Sequence, residues 1–100
     1  MVVLMLERIF KKYREVKAEQ PDTLLLFRVG DFYELYFDDA KTAAKVVGLT
    51  LTTRNKAAAD PVPMTGFPYH HLDVYVKKLV HAGHRCFVIE QVSDLKAVRK

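Results

Sequence analysis

Leu24-Leu25-Leu26-Phe27-Arg28-Val29-Gly30-Asp31-Phe32-Tyr33-Glu34-Leu35-Tyr36-Phe37 is the stretch on which the fold turns. Two strand-like runs flank one Gly-Asp break, and both residue types favour turns, so the stretch reads as a hairpin or a sharp bend. The first run is apolar from Leu24 to Phe27 and again at Val29, as in a strand covered on both faces, with Arg28 interrupting it near the tip. In the second run side chains alternate, putting Phe32, Glu34 and Tyr36 on one face and Tyr33, Leu35 and Phe37 on the other. An ionisable Glu34 is costly to bury without a partner. Phe32, next to it and directly after the turn, reads either as a core aromatic or as a half-exposed ring suited to press between bases.

Outward from this stretch, Leu6, Ile9, Phe10, Tyr13 and Val16 recur at helical spacing among charged residues, which predicts an amphipathic helix ended by Pro21. Its basic face reads as a solvated surface. Glu15-Val16-Lys17 matches the E-x-K core of a nuclease site, but on a helix it is better read as surface with one buried Val. After the hairpin, Asp38 or Asp39 is a good N-cap for a short small-residue helix through Ala40, Ala43, Ala44 and Val47 that stops at Gly48. Leu49 to Arg54 alternates Leu with Thr as a half-buried strand should. Asn55 to Asp60 reads as a polar loop, and Pro61 and Pro63 allow only a short or edge strand after it. Gly66 and Pro68 imply a constrained turn within Met64 to Tyr69. Leu72, Tyr75, Val76, Leu79 and Val80 predict a further helix stopped by Gly83, before a final buried strand from Cys86 to Val92 and a basic tail from Ser93 to Lys100. The order helix, strand, strand, helix, strand, strand, helix, strand is that of one α+β (mixed α/β) domain over residues 1–100, with one mixed sheet and about three flanking helices.

Composition sets limits on function. Half of the 100 residues are hydrophobic and 28% are charged, so the chain has a core to bury. The net charge of +4 permits contact with a polyanion without requiring it. The single cysteine, Cys86, leaves no internal disulfide or cysteine-based zinc finger and fits a reducing compartment. Met1 to Leu6 lacks the flanks of a signal peptide, and no apolar run approaches the roughly 20 residues of a membrane helix. The expectation is a soluble cytoplasmic protein. His70 with His71, and His81 with His84, do not make a convincing zinc site. No G-x-x-x-x-G-K-[ST] phosphate loop is present, so this chain is not expected to be an ATPase or another enzyme. Asp31, Glu34, Asp38, Asp39 and Glu90 could supply carboxylates to a small metal-dependent nuclease, against which stand the capping role of Asp38 and Asp39 and the lack of a strand-borne Asp with Glu-x-Lys. A generic nucleic-acid or protein interaction module is the other alternative.

Gly30-Asp31-Phe32-Tyr33-Glu34 resembles the signature of the amino-terminal mismatch-recognition domain of bacterial MutS. The likeness runs from about Tyr13 to Asp94, through Pro21 to Arg28, Leu49 to Arg54, Pro63 to His70 and Glu90-Gln91, in the family's order. The resemblance implies a DNA-binding domain of mismatch repair that approaches a mispaired base from the minor groove. Phe32 would be the wedge stacked on that base and Glu34 the contact to its edge. Arg54, and secondly Arg28, would contact phosphate, although Arg28 also reads as an ion pair with Asp31 or Glu90, and Glu34 as a surface pair with Arg28 or Arg54. Val29, Met64 and Tyr33 would shape or support the wedge, or else belong to the core. Implied partners are double-stranded DNA with mispairs or small loops, other MutS domains or a second MutS subunit, and MutL in the full-length family. No cofactor is expected here; ATP and Mg belong to full-length family domains absent from this chain. The resemblance also implies a cytoplasmic, nucleoid-associated setting, and the family's chain continues into a further strand and a connector where this sequence ends at Lys100.

Overall fold

Gly30 has a left-handed φ of +60°, a conformation open to glycine without steric penalty, and with Asp31 it makes a two-residue hairpin turn between β1 (Thr23–Val29) and β2 (Phe32–Tyr36). The computed structural model in which this is seen describes residues 2–54 and 61–90. Pairing of Val29 with Phe32, Arg28 with Tyr33 and Phe27 with Glu34 fixes the register. Around this hairpin the chain runs α1 (Val2–Glu19), β1, β2, α2 (Phe37–Val47), β3 (Thr52–Arg54), β4 (Val62–Pro68), a 3-10 turn at Tyr69–His71, α3 (Leu72–His81) and β5 (Arg85–Ile89). The strands form one sheet in the order β3-β4-β2-β1-β5, antiparallel except for the parallel β1/β5 pair. This is the mixed-sheet α+β fold that the order of elements predicts.

Helices cover both faces, which is why β1 is apolar on both sides. On one face Leu24, Leu26, Tyr33, Leu35 and Phe67 are buried with Ala40, Ala43 and Leu79 from α2 and α3. On the other, Leu25, Phe27, Tyr36 and Val62 are buried with Ile9 and Tyr13 of α1. Each fully buried large side chain contributes about 1.5–3 kcal/mol, so the two clusters dominate stability.

Several expectations need correction. Phe37 leaves the β2 alternation: its φ of +59° turns the chain into α2, and its ring packs on Phe10 and Tyr13 beside Tyr36 rather than Tyr33. Tyr36, not Asp38 or Asp39, is the N-cap residue of α2, and no side chain caps that end. Asp39 is instead buried in the first turn of α2, where Oδ2 accepts the Leu25 N–H at 3.1 Å, beyond the stretch of β1 that β2 pairs. Lys17 Nζ lies 2.8 Å from Asp39 Oδ1 and donates to the Thr23 carbonyl, so the Lys of the E-x-K triplet ties α1 to α2 and β1. Burial raises the Asp39 carboxyl against the lowering effect of Lys17 and the Leu25 N–H.

The strand expected from Leu49 is paired only from Thr52. Gly66 and Pro68 lie in β4, which is neither short nor at an edge, rather than in a turn. Pro63 is tolerated because β2 pairing begins only at Met64, and Pro68 closes the strand. β5 is an edge strand and half-exposed, not buried. The expected loop at Asn55 to Asp60, and Gln91, Val92 and the tail, lie outside the described residues.

Candidate nucleic-acid interface

Residues directly opposite in neighbouring strands share a face. Val29 opposite Phe32, Gly66 opposite Glu34, Met64 opposite Tyr36 and Thr52, and Val62 opposite Arg54 therefore form one continuous surface on the α1 side of the sheet. Five of the expected site residues, Phe32, Glu34, Arg54, Val29 and Met64, meet here. Phe32 is 46% exposed, while Tyr33, Glu34, Leu35 and Tyr36 after it are buried. The tip that carries Phe32 is braced: the Tyr69 N–H donates to the Asp31 carbonyl at 2.8 Å and Arg28 Nε donates to the Gly30 carbonyl at 2.6 Å.

Glu34 is only 5% exposed, and both of its oxygens are in use. Oε1 accepts the Tyr36 hydroxyl at 2.5 Å, and Oε2 accepts Arg54 Nη2 at 2.7 Å. The pairing expected with Arg28 or Arg54 is thus made with Arg54, but it is largely buried rather than a surface bridge. The pair spans β4, about two strand spacings of 4.8 Å each, so Glu34 lies over β4 from β2 and the longer Arg54 side chain reaches to it from β3. Gly66 lies directly beneath. A Cβ there would come within 2.7 Å of the Tyr33 carbonyl oxygen and 3.3 Å of Glu34 Cγ, so glycine leaves the room in which Glu34 crosses. Burial, and then the Glu34 charge, push the Tyr36 hydroxyl well above the ordinary tyrosine range, so Tyr36 stays a neutral donor. Arg54 Nε is buried without a partner among the described residues.

Arg28 and Tyr33 lie opposite each other on the other face. Tyr33 is buried and its hydroxyl donates to Glu90 Oε2 at 2.8 Å. The Arg28 guanidinium stacks 4.2 Å from the exposed Tyr69 ring and 5.6 Å from Tyr33. Among the described residues it pairs with neither Asp31 nor Glu90, because the Gly30 carbonyl and the two rings take it up. Tyr36 and Tyr69 were not among the expected site residues, and Gly66 was expected only in a turn. Tyr36 was legible, since it shares the face of Glu34 two residues on; the other two depend on a strand pairing that a Pro- and Gly-containing segment hides.

The MutS domain I family description matches residues 7–100. The DNA mismatch repair protein MutS of Rhodopirellula baltica is 53% identical over 91 residues, covering 91% of this chain and 10% of that protein. The proteins of the same name from Streptococcus suis and Salinibacter ruber are each 49% identical over 86 residues, covering 86% of this chain and 10% of each of those proteins. This chain thus spans about a tenth of the length of the curated relatives it matches. With the family description and these relatives agreeing over nearly all of its length, the chain belongs to the MutS domain I family.

Proposed function

We propose that this domain is the mispair-reading module of a DNA mismatch repair protein. The observation that carries the reading is Phe32, a large exposed aromatic on a braced hairpin tip, next to a surface that holds one carboxylate and one guanidinium. A protein that must accept any mispair in any sequence cannot use a base code, but it can test deformability. Inserting an apolar wedge at a base step from the minor groove costs a few kcal/mol of unstacking, and least where pairing is already broken. Stacking of Phe32 on the displaced base returns about 1–3 kcal/mol whatever the base. Glu34 contacts the base edge, and near phosphates its charge disfavours intact duplex, so it serves discrimination more than affinity. Val29 borders the wedge from across the hairpin, Met64 shapes the same face farther along, opposite Tyr36, Tyr33 supports the wedge from the buried face, and Arg54 and then Arg28 are the cations for phosphate.

Three of the five carboxylates that a nuclease could draw on are committed elsewhere: Glu34 to Arg54 and Tyr36, Asp39 to Lys17 and Leu25, and Glu90 to Tyr33. The substrate is duplex DNA with a mispair or small loop, and the domain acts with other MutS domains or a second MutS subunit, and with MutL. ATP and Mg act in those other domains, since this chain carries no phosphate loop. No helix among the described residues is long and apolar enough to cross a membrane. The test is fluorescence anisotropy with a duplex carrying one G·T mispair and its fully paired control at low salt. Wild type favours the mispair and Phe32→Ala does not; equal, salt-sensitive binding of both duplexes by both proteins would leave only a basic surface.

A further inference from the structure

Resting on that reading, a conflict appears between two of its residues. Glu34 is to contact a base and Arg54 a phosphate, yet each holds the other, with Nη2 and Oε2 2.7 Å apart. We propose that Arg54 is a conditional phosphate contact, released by Glu34 only when a displaced base takes its place on the carboxylate.

The geometry suits such an exchange. The Arg54 side chain is 35% exposed against 6% for Glu34, so Arg54 is the member of the pair already within reach of solvent. Tyr36 holds Oε1 independently, which lets the carboxylate change the partner of Oε2 without losing every donor. Gly66 leaves open the side of β4 over which Glu34 lies. On an intact duplex, Arg54 could turn to a phosphate only by leaving a buried carboxylate with a single donor beside a polyanion, and that exchange is opposed. At a mispair, an N–H on the edge of the displaced base donates to Oε2, and the freed guanidinium takes a phosphate oxygen. Mispaired DNA thereby gains one phosphate contact that paired DNA lacks.

Salt dependence counts such contacts. Each phosphate neutralised adds about 0.9 to the slope of log K against log salt, so raising salt fourfold weakens mispair binding about 3–4-fold more than binding to paired DNA. The experiment is a salt titration by anisotropy of the 100-residue chain on both duplexes, with wild type, Arg54→Met, Glu34→Gln and the double variant, each checked for folding by urea unfolding. The double variant strands no buried charge and so keeps the test open where Arg54→Met unfolds. Wild type shows the larger slope on mispaired DNA. Arg54→Met and the double variant lose that excess, both slopes being low, whereas Glu34→Gln loses it with both slopes high because Arg54 is released on either duplex. A slope excess that persists without Arg54, or is absent from a wild type that still prefers the mispair, overturns the exchange and leaves the proposed function standing. A wild type without any mispair preference overturns both.

Discussion

Tyr36→Phe removes one oxygen from a fully buried ring whose packing against Phe10 and Phe27, with centroids 5.3 and 5.7 Å away, the phenyl group retains. What is lost is the hydroxyl bond to Glu34 Oε1. Hydrogen bonds to charged groups contribute about 1.5–3 kcal/mol, and no cavity term is added because the ring stays. A loss of about 2 kcal/mol lowers Tm by about 8–16 °C in a domain of this size. The pH dependence follows from the raised ionisation of Tyr36. In the unfolded chain Tyr36 ionises around its ordinary value of 10.0, while in the folded chain burial and the Glu34 charge hold it neutral to higher pH. Its stabilising contribution is therefore complete below the unfolded value and is lost as pH rises above it, at about 1.4 kcal/mol per pH unit. The gap between wild type and variant should narrow above about pH 10 and nearly close one to two units higher. Urea unfolding followed by circular dichroism from neutral to alkaline pH measures it. A variant as stable as wild type at pH 7, or a gap that stays constant to alkaline pH, would refute the reasoning.

Gly66→Ala brings a Cβ within 2.7 Å of a backbone oxygen, so a strand must shift; the expected loss is about 1–3 kcal/mol in urea unfolding, with reduced mispair preference in anisotropy as Glu34 is displaced. Arg28→Ala removes the Gly30 bond and the Tyr69 stack, costing about 1–2 kcal/mol in the urea midpoint and speeding amide exchange at the hairpin tip. Asp39→Asn keeps an acceptor for the Leu25 N–H but removes a carboxylate whose folded ionisation lies above the ordinary 3.8. Because a raised group stabilises most below its unfolded value, wild type should gain on the variant as pH falls from neutrality toward that value; comparing urea midpoints across this window checks it.

The hairpin was legible because Gly30-Asp31 is a turn pair and the period of two after it is unbroken as far as Tyr36. That same period separates Tyr33 from Phe32 and Glu34, and cross-hairpin pairing then carries Arg28 to the side of Tyr33, away from Arg54. Phe37 was not legible, since a bulky aromatic rarely takes a positive φ and here it is held there by Phe10 and Tyr13 from a distant helix. Asp39 looked like a cap because caps are local, whereas its partners, the Leu25 N–H and Lys17, come from other elements. β4 was obscured by Pro63, Gly66 and Pro68, each of which suggests a break when taken alone. Only the end of β2 pairing at Met64 and the crossing of Glu34 above Gly66 explain why those residues suit a central strand. The nearness of Glu34 and Arg54 was one of two options in the sequence, and the same crossing decided it.

The most direct measurement of the central claim, that Phe32 enters the stack at a mispair, is the fluorescence of 2-aminopurine placed at the base step beside a G·T mispair, with binding followed in parallel by anisotropy. Under saturating protein, wild type should raise the fluorescence on mispaired DNA and not on the paired control, and Phe32→Ala should leave both unchanged. An equal rise with both proteins, or none with a wild type that is demonstrably bound, would contradict the wedge.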